Sequence, residues 1–96
     1  MMQAYIVFNY RINNKEAYEP YLDQVMQTLI AHDAEILAAD FESEKIEGDA
    51  GHVTVVLRFS SKEAAKKWYQ SPDYQNIVRL RTDHCDGIAV LADAAE

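Results

Sequence analysis

The chain has 96 residues, of which 49% are apolar and 26% charged, and its sixteen acidic and nine basic side chains leave a net charge of −7. This length allows one hydrophobic core, and the composition excludes an intrinsically disordered or fibrous protein. The negative charge repels phosphate backbones and anionic lipids, so nucleic acid and membranes are not expected partners.

The first half of the chain predicts a strand, a helix and a second strand. Residues 3–11 are rich in aromatic and β-branched side chains, which favour a strand. Apolar residues over 18–30 recur every three or four positions, as on one face of a helix. Because Pro20 lacks an N–H donor, we expect only a turn over residues 14–18 and regular helix from about Glu19. The second strand is predicted over 35–45, bent near 40–42.

The second half begins with turn chemistry at residues 47–51, Glu-Gly-Asp-Ala-Gly, and this predicts a hairpin. Residues 52–59 form the predicted third strand. Ser60 and Glu63 have the capping-box spacing, which predicts a second helix with Trp68 on its inner face.

The order serine, proline, aspartate over residues 71–73 restarts a helix that carries Tyr74, Ile77 and Val78 inward. A last strand is predicted over 86–91, and residues 92–96 are expected to be a frayed tail.

The resulting order is βαββαβ. Right-handed crossovers would place both helical connections on one face of a four-stranded antiparallel sheet, so the predicted fold is the α+β, ferredoxin-like class in a single domain over residues 1–96. Side chains alternate between the two faces of a strand. The core face is predicted to carry Ala4, Ile6, Phe8 and Tyr10 from strand one and Val53, Val55, Leu57 and Phe59 from strand three.

The other face of the sheet is partly apolar, with Val7 in strand one and Val56 in strand three. An open face of this kind is awkward in water, and packing it against a second copy would remove it from solvent. We therefore expect a homodimer through the open sheet face. The alternative is a monomer whose second face is merely mixed.

One long segment, F-S-S-K-E-A-A-K-K-W-Y-Q-S-P-D-Y-Q over residues 59–75, resembles a known family. Supporting segments are A-Y-I-V at 4–7, K-E-A-Y at 15–18 and I-E-G-D at 46–49. The chain thereby resembles the uncharacterised bacterial family named domain of unknown function 1330, in the dimeric α/β-barrel superfamily. The resemblance implies the ferredoxin-like fold and a dimer. Relatives in that superfamily include cofactor-free monooxygenases, isomerases and haem-degrading enzymes. The sequence departs from the family pattern at residues 32–35, where a paired glycine is usual.

Strand and helix phases suggest that several aromatic and ionisable residues meet at one cleft. Tyrosine hydroxyls and a carboxylate would orient and deprotonate a small acidic molecule, and an arginine would hold its anionic oxygen. The alternative is that the aromatic residues only supply buried area. The candidate pocket-lining residues are Tyr5, Tyr18, Tyr21, Glu47, Trp68, Tyr69 and Arg79.

No metal or other cofactor is predicted. His32, His52 and His84 lack the spacing that places two imidazoles on one helical face. Cys85 cannot form an internal disulfide and is expected to be an inert apolar group. The first residues show no secretory signal, so a cytoplasmic location is expected.

Two functions remain open at this stage. One is a cofactor-independent, oxygenase- or isomerase-like enzyme that acts on a small organic molecule. The other is a non-catalytic dimeric module that binds a metabolite or another protein. An enzyme predicts a concave pocket with an inward carboxylate or histidine, whereas a module predicts a filled interior.

Overall fold

The computed structural model describes residues 2–95. Its elements, in chain order, are β1 Ala4–Ile12, α1 Lys15–Ala31, β2 Glu35–Asp40, β3 Val53–Phe59, α2 Lys62–Gln70, α3 Pro72–Gln75, α4 Val78–Thr82 and β4 Cys85–Asp93. The strands form one antiparallel sheet in the order β2-β3-β1-β4. The predicted α+β, ferredoxin-like fold is confirmed. Within residues 2–95, none of the helices combines the length and the apolar character needed to cross a membrane.

The core lies between the sheet and the helices and follows the predicted alternation. In β1, the residues Ala4, Ile6, Phe8 and Tyr10 are buried, and their neighbours in sequence are half-buried on the other face. In β3, Val55 is half-buried and packs against the core, while the other three predicted residues are buried. Trp68 and Tyr74 are completely buried between α2, α3 and the sheet.

Helix α1 begins at Lys15, earlier than the sequence predicted, and runs through Pro20 without a break. The Asn14 side chain caps it by accepting a hydrogen bond from the Ala17 N–H at 3.2 Å. Burial of Tyr18 and Tyr21 fixes the segments on both sides of the proline. Since only one main-chain hydrogen bond is lost near the helix start, the cap and this burial hold the first turn in place.

Strand β2 ends at Asp40 rather than continuing to residue 45, and its register with β3 shifts between Ile36 and Ala38. The Asp40 side chain accepts a hydrogen bond from the Glu42 N–H at 2.8 Å, which turns the chain out of the sheet. Residues 41–52 therefore form a loop longer than the predicted turn. Gly48 in this loop has a φ of +76°, a conformation that favours glycine.

Two further predictions were wrong in detail. The side chain that caps α2 belongs to Ser61 and not to Ser60; it accepts from the Ala64 N–H at 3.0 Å. Strand β4 extends to Asp93, so residues 92 and 93 are not a frayed tail. They pair with the start of β1, and the Ala94 N–H donates to the Gln3 carbonyl at 2.8 Å.

The helix-free side of the sheet, which we call the open face, carries an apolar stripe across all four strands. Val56 and Val90 flank Val7 on the neighbouring strands, and Ala38 follows beyond Val56. Charged pairs lie on either side of this stripe, including Arg58 with Glu35. Val90 is 50% exposed in the single chain.

Candidate functional site

A groove of about 150 Å³ opens between α1 and the β2–β3 half of the sheet. We call it the helix–sheet groove. From α1 it is lined by Tyr21, Leu22, Val25, Met26 and Leu29. From the sheet, the loop after β2 and α2 it is lined by Phe8, Tyr10, Ile36, Ala39, Phe41, Val55, Leu57 and Trp68. Because β2 contributes a side chain as small as Ala39, the space beneath α1 is not filled.

The rim of the groove is apolar and accessible. Leu22, Met26, Ile36 and Phe41 are each between 39% and 44% exposed. Large apolar side chains that remain exposed around a concave surface are typical of a binding site. No carboxylate or histidine is among the described residues that line the groove.

Two hydrogen-bonded tyrosine pairs lie at the inner end of the groove. Tyr10 and Tyr18 join their hydroxyls at 2.6 Å, and Tyr21 and Tyr74 join theirs at 2.7 Å. One member of each pair, Tyr10 and Tyr21, also lines the groove. The rings of Tyr18 and Tyr21 stack with their centroids 5.7 Å apart, so β1, α1 and the short helix α3 bring the two pairs into one cluster.

Arg81 of α4 is buried against these rings, with only 8% of its surface exposed. Its guanidinium carbon lies 4.9 Å from the centroid of the Phe8 ring, 5.8 Å from that of Tyr10 and 6.0 Å from that of Tyr21. All three of these rings line the groove. A terminal nitrogen of Arg81 donates a long hydrogen bond, 3.5 Å, to the Tyr74 hydroxyl.

The electrostatics of this cluster follow from burial. Loss of solvent raises the pKa of Tyr10, and its hydrogen bond to Tyr18 raises it further. Burial likewise raises the pKa of Tyr21 and Tyr74, although the charge on Arg81 works in the opposite direction. The four phenols are therefore protonated at neutral pH, and they act as neutral hydrogen-bonding groups beside a permanent cation.

The structure does not bring the predicted site residues into one cleft. Tyr18 and Trp68 are buried in the core, and Tyr5 lies on the open face of the sheet. Glu47 lies in the exposed 41–52 loop, beside a shallow depression at the end of the open face. The strand alternation that places Tyr10 inward necessarily places Tyr5 outward.

Two other predicted residues lie away from the groove. Tyr69 lines a different concavity, of about 230 Å³, between α2 and the edge strand β4. Arg79 is exposed on α4 and pairs with Asp83 one turn later. Of the seven candidates, only Tyr21 and Trp68 line the helix–sheet groove. Tyr18 does not line it, but its hydroxyl is hydrogen-bonded to that of Tyr10, which does.

Sequence reasoning selected Arg79 and missed Arg81, two residues further along. Neighbours at that separation point to different sides of a helix, and α4 turns Val78 and Arg81 toward the core. The available signal was the three-residue spacing of Arg81 from the inward residue Val78. Within residues 2–95, no group of three histidine, cysteine, aspartate or glutamate side chains is placed to hold a metal.

The family described as "Domain of unknown function (DUF1330)" matches residues 3–95. No curated protein matches the chain. Among solved structures, the RPA0582 protein of unknown function from Rhodopseudomonas palustris is similar with a TM-score of 0.81 and 12% identity, over 99% of this chain and 84% of that one. SnoaB, a cofactor-independent oxygenase from Streptomyces nogalater, has a TM-score of 0.72 and 7% identity, over 100% and 96%.

A third solved structure is a dabb family protein with a ferredoxin-like fold from Mesorhizobium loti. It has a TM-score of 0.68 and 13% identity, and the match covers 100% of this chain and 98% of that one. At such identities these likenesses establish the fold alone.

Proposed function

The chain belongs to the family described as "Domain of unknown function (DUF1330)", and we propose that it binds a small organic molecule in the helix–sheet groove. This match confirms the family that the segment over residues 59–75 predicted. The observation that supports the proposal is the groove itself: an opening into a closely packed core, lined almost entirely by apolar and aromatic side chains. A flat ligand with an aromatic body suits such walls, because aromatic rings stack on one another.

A second, more specific proposal is that the groove supports catalysis. A cofactor-independent, oxygenase-like reaction is supported by the fold that the chain shares with SnoaB, a cofactor-independent oxygenase. The groove lacks a carboxylate or histidine base among its described residues, so the substrate itself would have to be an acidic phenol or enol. The same lack of a base favours the second candidate, a non-catalytic module that binds a metabolite.

The binding proposal is tested with 2-naphthamide, a neutral aromatic probe, by recording backbone amide shifts of the labelled protein. We expect the shifts to concentrate on α1 and on β3 around the groove. Met26→Trp should fill the rim and lower affinity at least tenfold. Ile30→Trp is the matched control, because Ile30 is 69% exposed on the same helix and does not line the groove.

Shifts that map to another surface, or equal affinity in the Met26→Trp and Ile30→Trp variants, would exclude the groove as the site. Oxygen uptake with 1,3-dihydroxynaphthalene then separates the two candidate functions. Uptake that requires the wild-type groove supports an oxygenase, and binding without uptake supports the non-catalytic module.

We also propose that residues 1–96 form a single domain that works as a homodimer through the open face. The apolar stripe on that face supports this assembly, since a self-complementary contact between two copies would cover it. A reducing cytoplasm is the proposed location, and an unpaired Cys85 suits it.

A further inference from the structure

The cluster behind the groove contains hydrogen-bond donors that have no partner within residues 2–95. Each tyrosine pair holds two hydroxyl protons, and one hydrogen bond uses only one of them. The second proton of each pair takes part in no further hydrogen bond within the part of the chain that the structure describes. The Nε of Arg81, also buried, has no hydrogen-bond partner within residues 2–95 either.

The same core satisfies its other polar groups. The indole N–H of Trp68 donates to the Thr28 hydroxyl at 2.9 Å, and that hydroxyl donates to the Val25 carbonyl at 2.7 Å. Donor and acceptor counts therefore balance a few residues away. Within residues 2–95, the unpaired donors are confined to the part of the core that contains Arg81.

Arg81 also has no counter-ion in the part of the chain that the structure describes. Within residues 2–95, the guanidinium lies against three aromatic rings and donates to the Tyr74 hydroxyl, and none of its hydrogen bonds or ion pairs joins it to a carboxylate. A buried cation without an anion is costly to the fold, because it has lost its water and gained only weak partners. Such a cost is typical of a group that is kept for binding rather than for stability.

From these unpaired donors we infer that the ligand of the groove carries an anionic oxygen, a carboxylate or an ionised phenol or enol, and that Arg81 is the residue that recognises it. The inference rests on the proposed function: Arg81 itself does not line the groove, but the rings of Phe8, Tyr10 and Tyr21 both line it and surround the guanidinium. The anionic oxygen would supply the acceptor that the unpaired hydroxyl and Nε protons lack. The apolar walls would hold the rest of the molecule.

The experiment compares two probes with the same naphthalene body: 2-naphthoate, which is an anion at neutral pH, and 2-naphthamide, which is neutral. Dissociation constants are measured by calorimetry for the wild type and for Arg81→Met, which keeps a long side chain and removes the charge. We expect the wild type to prefer the carboxylate at least tenfold. In the variant this preference should vanish while 2-naphthamide still binds.

Arg81→Met should also melt at the wild-type temperature or above it, since it removes a buried charge that has no carboxylate partner. A structural arginine would behave differently: its loss would lower the melting temperature and leave the ratio of the two dissociation constants unchanged. That pair of results would overturn the inference.

A second readout avoids mutation altogether. The Nε–H resonance of Arg81 in the wild-type protein should shift on addition of 2-naphthoate and stay in place with 2-naphthamide. If 2-naphthamide binds the groove and 2-naphthoate binds no better, the inference is wrong and the proposed function stands. If neither probe binds, the proposed function fails and the inference fails with it.

Discussion

The phenol of Tyr10 lies inside the protein, and so do those of Tyr18, Tyr21 and Tyr74. Burial raises the pKa of each, because a tyrosinate would have to give up its water. The folded protein thus holds its phenolic protons to higher pH than the unfolded chain does. Below the ordinary value of 10.0 both states are protonated, and the stabilisation is fully present.

We predict that the free energy of unfolding falls as pH rises above about 10, by roughly 1.4 kcal/mol per pH unit for each such tyrosine. Burial also raises the pKa of Cys85 from its ordinary value of 9.0 to about 11. Ionisation of this thiol therefore also lowers the free energy of unfolding as pH rises above 9.0. Urea unfolding in a Cys85→Ala background isolates the tyrosines. Tyr10→Phe in that background should make the decline shallower, and an unchanged slope would contradict the assignment.

For single residues, the sequence predicted which side chains of β1 and β3 face the core. Successive residues of a strand point to opposite faces, so only two arrangements are possible. The inward position of Arg81 was indicated only by its three-residue spacing from Val78. Helix α4 has five residues, so this one pair is the whole of its periodic pattern. The hydrogen-bonded pairs join residues eight and fifty-three positions apart, and no local pattern encodes such contacts.

At the scale of the elements, β4 is an edge strand, and β1 is its pairing partner within the described sheet. Gly87 lies opposite Tyr10 in that pairing. A Cβ at this position would lie 2.2 Å from the Asn9 carbonyl oxygen and 2.5 Å from the Cα of Tyr10. Both atoms belong to the main chain, which cannot move aside as a side chain can.

We therefore predict that Gly87→Ala costs about 1–3 kcal/mol or more, the range for overpacking, and displaces β4 from β1. Urea unfolding gives the cost, and faster amide exchange over β4 would locate it. Ile88→Ala is the matched control, since Ile88 is the next residue and is 64% exposed. An equal loss of unfolding free energy in the two variants would show that the close approach of the β1 main chain to Gly87 is not what destabilises Gly87→Ala.

Element boundaries show where sequence patterns lose information. The order βαββαβ was predictable from periodicity, but the ends of β2 and β4 depend on partners. Residues 92 and 93 remain in the sheet because Tyr5 and Ala4 lie opposite them. At the end of α1, Asp33 adopts a φ of +55°, a conformation that few residues other than glycine, asparagine and aspartate adopt.

At the scale of the whole molecule, the open face of the sheet is partly exposed to solvent in the single chain. Its central stripe, Ala38, Val56, Val7 and Val90, runs across the full width of the sheet. The opposite face is occupied by helices and contains the groove. Dimerisation through the open face would therefore leave both grooves free to bind ligand, and the two functions of the molecule would use separate surfaces.

We predict that the wild type sediments as a dimer and that Val90→Lys raises the dimer dissociation constant at least tenfold. Val90 is half-exposed in the single chain, so a lysine there can remain solvated in the monomer but would be buried in the dimer. Ile30→Lys, on the exposed side of α1, should leave the dimer intact. Sedimentation velocity over a range of concentrations distinguishes these cases. A wild type that stays monomeric at high concentration, or a Val90→Lys variant as dimeric as Ile30→Lys, would place the contact elsewhere, and the apolar stripe would then be only a mixed sheet surface.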